Sequence, residues 1–203
     1  PGRGTMWVAD GVGLPLPPER LDHRGRRFAR ASALTAQARW SSADPDGGAW
    51  VLMSGGQLQR IDVRGAVDGA ALALPAAFGV GRSDRWLCAT GAAGDAVRVD
   101  LQGRTVESLE TLSFPHDGVG VDPSGGCWFV VNDDVSTGAC GVADARVLRY
   151  VPAGATTASV TIPFPGCVFS VTGDPRDSSQ WAVTATASTN GLLRFDSGGI
   201  RTG

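Results

Sequence analysis

Residues 113–154 read SFPHDGVGVDPSGGCWFVVNDDVSTGACGVADARVLRYVPAG, and the order of residue types in this stretch decides the fold. A Pro-containing entry, Phe114-Pro115, leads into a small-residue strand, Gly118-Val119-Gly120-Val121. The turn Asp122-Pro123-Ser124-Gly125-Gly126 leads into an aromatic strand, Trp128-Phe129-Val130-Val131. After a long loop comes a third strand, Arg146 to Val151, closed by Gly154. Three short apolar strands punctuated by Asp, Pro and Gly make most of a four-stranded antiparallel blade.

Working outward, the same unit recurs along the chain. Five of the six tryptophans (Trp7, Trp50, Trp86, Trp128, Trp181) open an apolar run, and successive ones lie 43, 36, 42 and 53 residues apart. Each is followed by an Arg-apolar-x segment and then a Gly: Arg20-Leu21-Asp22, Arg60-Ile61-Asp62, Arg98-Val99-Asp100, Arg149-Tyr150-Val151 and Arg194-Phe195-Asp196. A period of this length is that of a propeller blade. The reading is one all-β domain over 1–203, a β-propeller of about five four-stranded blades, or six where a further blade lies outside this chain. Its units are 1–25, 26–65, 66–103, 104–154 and 155–203, the first incomplete, each later one beginning with its outer strand. The tryptophans are expected in equivalent buried positions, and the Arg-x-Asp pairs as ion pairs tying blades together.

Composition narrows the function. The 29 Gly and 12 Pro are spread through the chain and mark no linker. No apolar run approaches the roughly 18 residues of a membrane-spanning helix, and no signal peptide is evident. The start at Pro1 without Met suggests a processed or excised N-terminus. A net charge of −2 gives no electrostatic reason to expect nucleic acid. All 18 basic residues are Arg, as a GC-rich bacterial genome would produce, so lysine Schiff-base and P-loop chemistry are excluded.

Two clusters could act as a site. His116 and Asp117 enter an inner strand on the face where propeller loops gather, and such a pair can ligate a metal or move a proton. Asn132, Asp133 and Asp134 open a loop longer than its counterparts, whose oxygen-rich composition would suit Ca²⁺ or Mg²⁺. Phe164, between Pro163 and Pro165, adds an apolar ring to the same face. Of the four cysteines, Cys140 and Cys167 fall in loops on that face and are expected to pair, which implies an oxidising compartment. Cys88 and Cys127 lie near aromatic strands; buried thiols are one reading of them, and their pairing is left open.

PHDGVGVDPSGGCWFVV, RVLRY and GCVFSVTGDPRDSSQWAVTATA together resemble the gluconolactonase/regucalcin (SMP-30-like) propellers. The repeat as a whole is also similar to NHL-repeat proteins and streptogramin lyases. The first resemblance implies a lactonase site in which a divalent metal is held by Glu, Asn and Asp from different blades. Asp117 matches the family's Pro-Asp-Gly aspartate. The Asn-Gly of the preceding unit is replaced by Leu74-Pro75-Ala76-Ala77-Phe78, and the N-terminal Glu-Gly-Pro is absent. The lyase pattern needs two Pro-His segments, and only Pro115-His116 fits. No catalytic residue is therefore assigned and no resident cofactor is expected, a divalent cation at Asp117 being the exception to test. The reading favours a non-catalytic binding or scaffold module of a bacterial extracytoplasmic protein (secreted, periplasmic or cell-surface), with a protein or glycan partner or a place in a larger assembly. A metal-dependent lactonase-type hydrolase is the alternative, with a streptogramin-type lyase behind it.

Overall fold

The structure is a computed structural model and describes residues 5–8, 17–75, 77–113, 115–132, 146–163, 167–174, 179–185, 190–196 and 198–202. Among the described residues there are eighteen strands and no helix, so no helix is long and apolar enough to cross a membrane. The chain divides into two compact units, Pro1–Leu74 and Pro75–Gly203.

The first unit holds two meanders. One contains β1 (Thr5–Val8), β2 (Glu19–Asp22) and β3 (Arg27–Arg30). The other contains β4 (Ala38–Ala43), β5 (Ala49–Met53), β6 (Gln57–Ile61) and β7 (Val67–Ala73). Trp7, Ala31, Leu34, Ala38, Val51, Met53 and Ile61 form the core of this unit, and the Trp7 indole N–H donates to the Gly47 carbonyl at 3.1 Å.

The second unit holds three more meanders. The first runs through β8 (Ala77–Arg82), β9 (Trp86–Gly91), β10 (Ala96–Asp100) and β11 (Thr105–Ser108). The second runs through β12 (Pro115–Val121), β13 (Cys127–Asn132), β14 (Arg146–Val151) and β15 (Val160–Pro163). The third has β16 (Cys167–Gly173), β17 (Gln180–Ala185) and β18 (Asn190–Phe195). The middle sheet is buried on both faces. Cys127, Phe129 and Val131 pack towards β9, while Trp128 and Val130 pack on Val168, Val171 and Ala182 of the third sheet. That explains why Cys127 to Val131 is a continuous apolar run with no polar alternation. The small residues of the inner strands also have a cause. A Cβ on Gly81 would lie 2.3 Å from the Val119 carbonyl oxygen, and one on Gly173 would lie 2.0 Å from that of Val121.

Three expectations are corrected here. Each outer strand hydrogen-bonds to the third strand before it, as β7 does to β6 and β11 to β10. The four later sheets therefore begin at inner strands, and the unit boundaries expected at 26, 66, 104 and 155 fall one strand too early. The cause is that a short turn joins third and outer strands, which places them side by side. The tryptophans are not all equivalent. Trp7, Trp50 and Trp181 stand opposite Arg20, Arg60 and Arg194, whereas Trp86 opposes Asp100 and Trp128 opposes Tyr150. Trp86 and Trp181 are only half-buried, and each carries a guanidinium over its ring, Arg85 at 4.8 Å and Arg194 at 5.7 Å.

The Arg-x-Asp pairs, finally, do not work as pairs. The aspartates cap hairpin turns. One carboxylate oxygen of Asp22 accepts from the N–H groups of Arg24 and Arg26, that of Asp62 from Arg64 and Ala66, and that of Asp196 from Gly198 and Ile200, all at 2.8–2.9 Å. These backbone bonds, first the one from Arg26 and first the one from Ala66, hold the Asp22 and Asp62 carboxyls below the usual range. The arginines turn elsewhere: Arg60 to Asp44, Asp46 and Asp68, Arg194 to Asp174, and Arg98 into the next sheet.

Candidate functional site

Inner strands here begin with a bulge: β4 between Ala38 and Trp40, β8 between Ala77 and Gly79, and β16 between Val168 and Ser170. In β12 it is wider, since Pro115 opposes Val131 and Val119 opposes Phe129. Three residues, His116 to Gly118, thus face the single residue Val130. His116 and Asp117 lie within the strand and not in the loop before it, at the kind of irregularity that redirects side chains. Their own side chains lie outside the described part of the structure.

The ends of the neighbouring strands meet this bulge. Asn132 pairs with Arg146 as the last step of β13 and β14, and Val147 pairs with Pro163. The backbone therefore brings His116, Asp117 and Asn132 to one end of one sheet, the end from which residues 133–145 and 164–166 depart. Asp133, Asp134, Phe164 and Cys140 lie outside the described residues. Cys167 opens β16 opposite Ala185, is buried, and is disulfide-bonded; Cys140, its expected partner, is among the residues just named. No three His, Cys, Asp or Glu side chains converge on a point among the described residues. The cation expected at Asp117 rests on a side chain outside that set.

Thr90 of β9 was not visible in the sequence as a candidate. It pairs with Gly79 of β8. Its hydroxyl is fully buried and has no hydrogen-bond partner among the described residues. Buried hydroxyls are rarely left so, and a threonine inside an apolar strand carries no signal of it.

Cys88 and Cys127 are joined by a disulfide, which decides the pairing left open by the sequence and rules out the reading as buried thiols. Their strands, β9 and β13, belong to successive sheets, and the Cα atoms are 5.9 Å apart, inside bonding range. Both residues are fully buried in the core between those sheets. Sequence spacing could not reveal this, because the two positions meet only once the sheets pack face to face.

No protein-family model and no curated protein matches the chain. Solved structures do. Hydrazine synthase of Kuenenia stuttgartiensis matches with a TM-score of 0.66 at 12% identity, over 95% of this chain and 59% of that one. The WD40 domain of Neurospora crassa Pan2 matches with a TM-score of 0.65 at 17% identity, over 96% and 61%. The Dos1 propeller matches with a TM-score of 0.62 at 12% identity, over 95% and 52%. The fold is a β-propeller. The chain spans less than two thirds of the length of these propeller-containing chains, and the likeness at such identities concerns fold alone.

Proposed function

We propose that this chain is a non-catalytic β-propeller module of a bacterial extracytoplasmic protein, binding a protein or glycan through the loop end of its blades. One observation carries the reading. The recurring charged residues are consumed by the fold, as turn caps and sheet ties, while the non-recurring polar residues His116, Asp117 and Asn132 gather at one sheet end beside the long 133–145 segment. Rigid strands that present variable loops at one end suit recognition. Catalysis by a metal needs several ligands from separate elements converging on one point, and the sequence offers one match, Asp117. The Cys88–Cys127 disulfide supports an oxidising compartment. The likeness of residues 114–187 to regucalcin-type and NHL propellers fits the same blade architecture without its metal-binding set.

The test is to assay purified protein, with Mg²⁺, Ca²⁺, Mn²⁺ or Zn²⁺, against lactones and cyclic depsipeptides. In parallel, the same protein is screened on glycan and protein arrays. Binding lost on replacing residues 133–145 with a short Gly-Ser turn, without turnover of any compound, is the expected result. Metal-dependent turnover abolished by Asp117→Ala or His116→Ala would assign the lactonase or lyase class instead.

A further inference from the structure

The chain is acidic as a whole, yet residues 19–30 hold five arginines and two carboxylates, a local charge of +3 that leaves −5 on the rest. This segment is the hairpin of β2 and β3, and Arg24, Arg26, Arg27 and Arg30 are all exposed on it. Its acids do not neutralise it. Asp22 holds Arg26 at 2.8 Å, and Glu19 is shared between Arg27 at 2.9 Å and Arg30 at 3.5 Å. Arg24 has no acidic partner among the described residues. The turn at 62–66 of the next sheet packs alongside. The Arg20 guanidinium donates to the Val63 carbonyl at 3.3 Å, and Gly65 lies so close to Arg30 that a Cβ would stand 2.6 Å from its carbonyl oxygen. Exposed Arg64 belongs to that turn.

Among these cations stands Phe28, 61% exposed. It is the unpaired residue of a bulge, since Ala29 pairs with Arg20 and Arg27 with Leu21. Core packing gives no reason for the ring to face water there. Forked guanidiniums take carboxylate or sulfate oxygens two at a time, and an aromatic face packs on the flat side of a ring. A chain of ring-shaped units bearing anions matches both. Single-stranded nucleic acid shares this chemistry, but the Cys88–Cys127 disulfide favours a partner met in an oxidising compartment.

We propose that the β2–β3 hairpin, with Arg64 beside it, is a docking surface for an anionic polysaccharide. Its arginines hold carboxylate or sulfate groups, and Phe28 stacks on a sugar ring. The surface lies within the first unit and rests on the proposed function only for its compartment. The experiment is calorimetric titration of the intact chain with heparin and with polygalacturonate at low and raised salt. It compares wild type, the triple variant Arg24→Gln/Arg27→Gln/Arg30→Gln, Phe28→Ser, and a control, Arg104→Gln/Arg201→Gln. Wild type and control are expected to bind one or both polymers, with affinity falling as salt rises. The triple variant is expected to bind at least about tenfold more weakly and with a shallower salt dependence. Phe28→Ser is expected to bind about threefold more weakly with the salt dependence kept. Arg24→Gln alone breaks no ion pair among the described residues and keeps the test readable if the triple variant unfolds early; it too is expected to weaken binding. The proposal is overturned if neither polymer binds at low salt, if the Arg24 and triple variants bind like wild type, or if the control loses as much. Tighter binding to single-stranded DNA of matched charge, or to anionic vesicles, overturns it equally.

Discussion

Asp122 has no exposed surface and yet remains satisfied. One oxygen accepts from the N–H groups of Ser124 and Gly126 and from the Ser124 hydroxyl, and the other accepts from the Tyr150 hydroxyl at 2.7 Å. Burial first, and then this bond, raises the Tyr150 phenol above its ordinary value, so it stays a donor. Tyr150→Phe should cost about 1–2 kcal/mol in urea unfolding, since a buried acceptor loses its partner. Arg98 is the larger case. Its guanidinium is almost fully buried, pairs with Glu107, and donates to the carbonyls of Gly125, Pro152 and Ala155 in the next sheet. Arg98→Met should destabilise by about 3–4 kcal/mol, because one buried and two partly buried carbonyls lose their donor. Arg98→Lys should recover little of this, since an ammonium cannot reproduce the planar fork. Asp100 supplies a pH test. Its hydrogen bonds from Arg85, at 3.2 and 2.7 Å, and from two backbone N–H groups hold its carboxyl down to about 2, below the ordinary 3.8. The ionised form therefore adds stability that is complete above about 4 and is lost as pH falls through about 2. Melting temperatures of Asp100→Asn and wild type should converge over that window and differ above it.

At the scale of elements, successive sheets of the second unit are fastened by different means. Between the first and second of them the covalent link is Cys88–Cys127, closing a sequence separation of 39. Chain-entropy arguments give such a link about 4 kcal/mol, acting chiefly on the unfolded state. The double variant Cys88→Ala/Cys127→Ala should thus lower the melting temperature markedly while leaving the far-UV spectrum unchanged. The wild-type bond should resist mild reductant until the protein unfolds, because both sulfurs are buried. The turn at Asp122–Gly126 fastens the same pair of sheets. Gly125 has φ +96°, and a Cβ there would stand 2.8 Å from the Trp86 ring. Gly125→Ala combines left-handed strain with a clash against a ring already held under Arg85, and should cost about 2–4 kcal/mol. Gly154→Ala has φ +75° but nothing within 4 Å, and should cost only the backbone part. Comparing the two in denaturant separates conformational strain from packing.

At the scale of the molecule, two core clusters among the described residues lie wholly within residues 75–203, with the disulfide and the Arg98 bonds beside them. That segment expressed alone should unfold cooperatively and keep the Cys88–Cys127 link, as a thermal melt under oxidising and reducing conditions would show. The sequence by itself determined the all-β class, the blade period and most strand positions. Asp, Pro and Gly turns alternating with short apolar runs are local chemistry, and local chemistry is written residue by residue. It also singled out His116, Asp117 and Asn132, whose backbones do come to one sheet end, because strand order alone brings those ends together. What lay beyond it were the relations between elements. What Arg98 holds and that Cys88 faces Cys127 depend on the packing of one sheet on the next, while which sheet owns an outer strand and what Arg60 holds depend on the pairing of strands within one sheet. So does the exposure of Phe28, which a bulge in β3 decides. A side chain's neighbours across a sheet interface have no fixed spacing in the chain, and only the tertiary structure names them.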